Sequence, residues 1–502
     1  MATTSRSADL TSGPMLQKII LFSVPLAASS ILQLLFNAAD VVVVGRFAGS
    51  TALAAVGSNG ALINLLVNLF VGLSLGANVV AARCFGARDE KGVQDTVHTA
   101  VALGLVSGVL LAVVGFCTAR GLLELMSCPE DVIGLSALYL KIYFIGMPMT
   151  MLYNFSSALL RAVGDTKRPL YCLAAAGVIN VVLNLVFVIG FSMSVAGVAL
   201  ATIISQTVSA LLVTGMLVRE EGALRLDLRR LAFHAGTLKQ ILLIGLPAGL
   251  QSTVFSLSNV VIQSSINSFG SMVVAGNSAS SNLEGFVYTA MNAFAQAAVT
   301  FTSQNIGARK YHNLDRVIRN CLLCVVVTGL VLGGGAALAG NQLLRFYSSD
   351  TAVIATGIER LRIICGSYLL CGIMDVLASS LRGLGYRAAH GGKPCGRMRT
   401  AAGMDRHHFP AEPHPLYAVH QLPHQLDADR TGASRLSAGG TAASASEPAA
   451  DTGGIINFEQ SNALSVITLP VKKQFRNARR RFGTANKKYF SSDVAQSKAE
   501  GI

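Results

Sequence analysis

Ten apolar stretches, each about twenty residues or longer, fill most of the chain before residue 386. They fall at roughly 16–43, 51–80, 95–117, 133–160, 170–189, 195–217, 240–267, 275–302, 316–340 and 353–381. A bilayer's hydrocarbon core is about 30 Å thick, and a helix of about 20 residues crosses it. Inside that core the backbone must satisfy its own polar groups, so each crossing segment is helical throughout. The fold class that follows is an all-α polytopic membrane protein. Composition agrees, with 52% of the 502 residues hydrophobic and 13% charged, against about 25% charged in soluble domains. Nothing supports soluble catalysis. No P-loop is present to hold a nucleotide, and no zinc-ligand spacing occurs. The chain reads as not an enzyme, with no cofactor and no resident metal. Cys321 and Cys324 have C-x-x-C spacing, but inside an apolar run, where they read as small packing residues.

Charge between the stretches alternates. One set of connections carries Arg83, Arg88 and Lys91, then Arg161, Lys167 and Arg168, then Arg219, Arg225, Arg229, Arg230 and Lys239, then Arg309, Lys310, Arg316 and Arg319, and finally Arg382. The other set carries Arg46, Arg120 and Arg345. Positive charge stays on the cytoplasmic side. The expectation is a multi-pass protein of the cytoplasmic (plasma) membrane with a cytoplasmic N-terminus.

The chain also repeats itself. FGAR at 85–88 returns as IGAR at 306–309, and LLRAVG at 159–164 as SLRGLG at 380–385, both at a shift of 221. LKI at 140–142 returns as LRI at 361–363, and the helix-opening Pro25 as Pro247 at a shift of 222. Two homologous halves in the same orientation each need an even number of spans. Parallel repeats around a central pathway are a transporter architecture. The expected layout is an N-terminal tail at 1–15, a six-helix bundle at 16–217, a cytoplasmic linker at 218–239 and a second bundle at 240–386.

That second bundle has four of its six helices by residue 386. The repeat predicts two more, ending near 439, but the sequence turns hydrophilic. Residues 1–386 carry a net charge of +7, and residues 387–502 carry +7 in less than a third of that length, with six of the nine histidines. Read one nucleotide later, HQLPHQLDADRTGA at 420–433 can become ISYPISWTLTALA. That apolar segment falls opposite ALATIISQTVSALL at 199–212, in phase with the repeat. Met404 followed by Asp405 forces a shifted tryptophan codon, in a chain with no tryptophan. Residues 387–453 therefore read as an out-of-frame segment, and helices 11 and 12 as lost. Residues 454–502 form a basic tail of unassigned role. Its RNARRR run at 476–481 reads as solvated rather than as a nucleic-acid site.

Several stretches together resemble the multidrug and toxic compound extrusion (MATE) transporters. They are LFSVPLAASSILQLLFNAADVVVVGRFAGSTALAAVG, GANVVAARCFGAR, SALLRAVGDTKRPL, NVVLNLVFVIGF, ASSNLEGFVYTAMNAFAQAAVTFTSQNIGAR and SSLRGLGY. The resemblance covers about residues 12–386. It implies twelve helices in two six-helix bundles. It also implies export of a small organic, often cationic, substrate in exchange for Na⁺ or H⁺. The partners are that substrate and the bilayer, with no nucleic acid, for a monomer.

An ionisable side chain in mid-membrane costs about 2.5–3.5 kcal/mol or more, so it is a functional candidate. Asp40, Glu284 and Asp375 are the acids singled out within the stretches. Asp40 resembles the family's first-helix acid, and Glu284 and Asp375 its second-bundle pair, which implies proton or cation coupling and a transient Na⁺ at Glu284 and Asp375. Asn37 precedes Asp40 by one turn. Asn180 and Asn184 form an i, i+4 pair on one helix face; some relatives carry an acid at the second position. With Asn64, Asn68, Asn78 and Gln251 they read as lining a substrate cavity, and for the Asn180 pair interhelical packing is an equal reading. A lipid-linked-sugar flippase of related fold is a second functional reading. Its anionic cargo calls for a cationic cavity, and the acids here favour cations. A third reading is an inactive product of a decayed transporter gene.

Overall fold

The computed structural model describes residues 9–126, 130–267, 271–345 and 350–385. Residues 387–453, read above as out of frame, and the tail at 454–502 lie outside the described residues. The described chain is helical, with twelve α-helices and no strand. The first half contains α1 (Met15–Phe47), α2 (Ser50–Gly86), α3 (Glu90–Leu125), α4 (Glu130–Ile145), α5 (Met147–Ala162), α6 (Lys167–Leu185) and α7 (Ser194–Val218). The second contains α8 (Ala235–Asn267), α9 (Ser271–Gly307), α10 (Leu314–Thr328), α11 (Gly334–Arg345) and α12 (Thr351–Leu384).

These helices account for the ten expected stretches. The stretch at 133–160 is α4 and α5, bent by 49°. Pro148 stands at the start of α5; it has no N–H to continue a ladder across the break. The stretch at 316–340 is α10 and α11, joined through a π-helical turn at Gly329–Gly333. Among the described residues, eight helices are long and apolar enough to cross a membrane, and the bent pair makes nine. The remaining helix, α9, has 37 residues but carries Asn277, Asn282, Glu284, Asn292 and Gln296 along its length. Large apolar side chains such as Val42, Val113, Val178, Leu211, Leu330 and Leu370 stand exposed.

The repeat is visible in the backbone. Arg88 and Arg309, related by the shift of 221, both have a φ of 56°. A non-glycine residue adopts that region uncommonly, so its recurrence marks the same turn built twice. Gly164 and Gly385, again 221 apart, have φ of 88° and 79° and end α5 and α12. Pro25 lies inside α1 and Pro247 inside α8.

The halves meet through small residues. Gly72 and Gly76 of α2 lie against Gly245, Gly249 and Ile241 of α8, with no room for a Cβ at either. Backbone approach this close needs glycine. At the basic end, α2 and α9 cross. Gly86 abuts the Gln304 carbonyl, and Gly307 abuts the Arg83 carbonyl. Arg83 Nη2 donates to the Gly383 carbonyl at 3.3 Å, and Gln304 Nε2 to the Ala162 carbonyl at 2.7 Å. Residues 83 and 304, and residues 162 and 383, are each 221 apart. One contact is thus made twice, in opposite senses. The chain's start lies beside it: Gln304 Oε1 accepts from the Leu10 amide at 3.2 Å, and Asn313 donates to the Thr11 carbonyl at 2.9 Å.

Candidate functional site

In the first half, three helices converge on one acid. Asp40 is near the far end of α1 from the chain's start and is buried. Helix α6 presents Asn180 and Asn184 on one face, both buried, as the four-residue spacing requires. Asn184 Nδ2 donates to Asp40 Oδ1 and lies 3.2 Å from Asn180 Oδ1. Thr202 of α7 donates to Asp40 Oδ2 at 3.4 Å. Its hydroxyl also bonds the Val198 carbonyl one turn back, at 2.9 Å. These partners are amides and a hydroxyl. Among the described residues, no salt bridge reaches Asp40.

The second half treats its acid differently. Glu284 of α9 is buried, and Arg360 of α12 grips it with a two-pronged fork. Arg360 Nε is 2.9 Å from Oε1, and Nη2 is 2.9 Å from Oε2. The Tyr368 hydroxyl, two turns further along α12, reaches Oε2 at 3.5 Å. Arg360 is absent from the sequence-based candidates. Its signal was present: Glu359, Arg360 and Arg362 all fall within the stretch at 353–381. Asp375 does not touch Glu284. It accepts from the Tyr288 hydroxyl at 3.3 Å, and the Tyr288 and Tyr368 rings lie 6.1 Å apart. Each acid of this half therefore has its own tyrosine partner, and the two tyrosines are neighbours.

Residues 25–186 and 247–389 match the MatE family, one segment in each half. The chain belongs to the MatE family. Among its relatives is "Probable multidrug resistance protein YoeA" of Bacillus subtilis (strain 168), 30% identical over 372 residues, covering 73% of this chain and 80% of the relative. "Probable multidrug resistance protein YpnP" of the same organism is 30% identical over 380 residues, covering 76% and 85%. A MATE-family multidrug resistance transporter of the MOP superfamily, solved in an outward-facing conformation, superposes with a TM-score of 0.71. It is 24% identical, over 76% of this chain and 86% of that one. The protein is a polytopic MATE-family membrane transporter. The second matched segment ends at 389, where the composition changes.

The other polar candidates divide by what they touch. Asn68 of α2 donates to Ser256 of α8 at 2.8 Å, and so joins the two halves of the MATE fold. Asn78 also spans them: its Nδ2 donates to the Ala158 carbonyl at 2.8 Å and its Oδ1 accepts from Thr300 at 3.1 Å. Gln251 of α8 is exposed and accepts from Arg382 of α12 at 2.7 Å. Asn37 and Asn64 are exposed, and no described hydrogen bond joins Asn37 to the Asp40 cluster. Thr202, Tyr288 and Tyr368 escaped the sequence reading because a hydroxyl in a helix has many packing roles and no distinguishing spacing.

Proposed function

We propose that the protein exports organic, cationic compounds across the cytoplasmic membrane in exchange for Na⁺ or H⁺, as a monomer with its N-terminus in the cytoplasm. The observation that carries this reading is Asp40, a membrane-buried acid met by uncharged donors. Charge buried without a counter-charge is costly, so such a carboxylate takes up a proton or a cation. One site that holds either the coupling ion or the drug gives antiport, because each ligand favours a different state. Asn180, Asn184 and Thr202 are the oxygen-bearing neighbours that would share the ion. The names of the B. subtilis relatives and the loop-charge asymmetry support drug export in this orientation. The flippase reading has less support, since Asp40 is a buried acid with uncharged partners and Arg360, one of the cations within the stretches, is paired with Glu284. The test is ethidium transport in everted vesicles under an imposed Na⁺ or H⁺ gradient. Gradient-driven transport that Asp40→Asn abolishes supports the reading, and transport indifferent to both gradients would defeat it.

One observation favours a second reading, in which this particular chain is inactive. The family match stops at 389, just where residues 387–453 read as shifted by one nucleotide. Resequencing codons 380–440 tests it. A restored base returns helices 11 and 12, and ethidium export should then appear only in the restored chain.

A further inference from the structure

We infer that Arg360 is a resident cation that permanently fills the Glu284 carboxylate, so that Glu284 takes no coupling ion and the coupling ion is left to the other buried acids. This rests on the transporter reading above but reads out independently of transport. Three observations carry it. The first is geometric. Both Glu284 oxygens are engaged at 2.9 Å by two nitrogens of one guanidinium, and Tyr368 adds a third donor. A carboxylate so engaged has its charge cancelled and its lone pairs directed at fixed donors. An incoming Na⁺ would have to expel the fork.

The second observation comes from the repeat. Counting back 221 residues from Glu284 and Arg360 gives Ile63 and Tyr139. Those two side chains belong to one apolar cluster that joins α2 to α4. The equivalent positions are thus part of an apolar cluster in one half and an ion pair in the other. The pair does the work of holding two helices together, which a mobile ion would not. The third is the contrast with Asp40, whose described partners carry no charge. Arg360 is in this sense a specificity-determining residue: it removes one acid from competition for the ion.

The probe is ²²Na⁺ binding to the purified full-length chain in detergent, with thermal stability measured in Na⁺ and in choline. Glu284→Gln should bind Na⁺ as the unaltered protein does, within twofold. Arg360→Gln should bind one more Na⁺ per chain and be stabilised by Na⁺ over choline. The double variant E284Q/R360Q should lose that gain, and Arg360→Lys should restore the original stoichiometry. Loss of Na⁺ binding in Glu284→Gln alone would overturn the proposal, as would a folded Arg360→Gln with no gain. Should Arg360→Gln fail to fold, E284Q/R360Q should recover monodisperse protein, and failure to recover it counts against the proposal. No Na⁺ on the unaltered chain, with a gain in Arg360→Gln, would leave the inference standing while removing Na⁺ coupling from the transporter reading.

Discussion

In the first half Asp40 meets amides and a hydroxyl; in the second Glu284 meets a guanidinium. The spans present in both halves share one scaffold, down to the left-handed turns at Arg88 and Arg309. The difference teaches that duplicated architecture does not duplicate chemistry. A repeat conserves where helices cross, because backbone packing sets it. The charge at a crossing is set by a single pair of side chains, and one substitution on each helix separates two members of an apolar cluster, Ile63 and Tyr139, from an ion pair.

The largest test of this contrast is transport in the frame-restored chain. Asp40→Asn should reduce gradient-driven ethidium export to the level of empty vesicles, while Glu284→Gln keeps it within about twofold, a split that separates coupling from scaffold. Equal losses in both would erase the contrast. Next in size is the stability of the ion pair. Arg360→Ala leaves a buried carboxylate alone and should cost about 3–5 kcal/mol, whereas copying the first half with Glu284→Ile and Arg360→Tyr together should be neutral or stabilising by about 1–4 kcal/mol. Thermal melts in choline buffer measure both.

A smaller effect is expected where the halves are alike. Gly72→Ala and Gly249→Ala press on the same contact from opposite sides, so each should destabilise by about 1–3 kcal/mol through overpacking. A wide disparity in their melting temperatures would show that α2 and α8 do not share the contact evenly. The smallest effect lies at the chain's start. Partial burial pushes the Asp9 carboxyl up, but hydrogen bonds from Thr11 and Ser12 outweigh it and hold the group at about 2, below its ordinary 3.8. A group lowered on folding stabilises fully above its unfolded value and loses that contribution as pH falls toward the folded one. Amide exchange at Leu10 and Thr11 should therefore accelerate between pH 3.8 and about 2 relative to Asp9→Asn, which should show no such break.

Much of this fold was legible because the bilayer writes long signals. A span needs about twenty apolar residues, so all ten stretches could be found without any knowledge of packing. The i, i+4 spacing of Asn180 and Asn184 placed them on one face, and an acid in an apolar helix drew attention to Asp40. Arg360 was hidden by the same averaging that revealed its helix. A window of eighteen or more residues dilutes a single guanidinium, and nothing local to GIERLRIICG says that a glutamate 76 positions earlier will face it. The bend between α4 and α5 was likewise folded into one apolar stretch. Partners across helices depend on which faces meet, and that is a property of the assembled bundle.

The doubled contact at the basic end has a consequence for how the halves part. Arg83 and Gln304 each reach across to the opposite half, beside one crossing of α2 and α9, so separating the halves on that side breaks both hydrogen bonds together. A duplicated sequence thereby turns one modest bond into a symmetric latch, at no greater strength per bond.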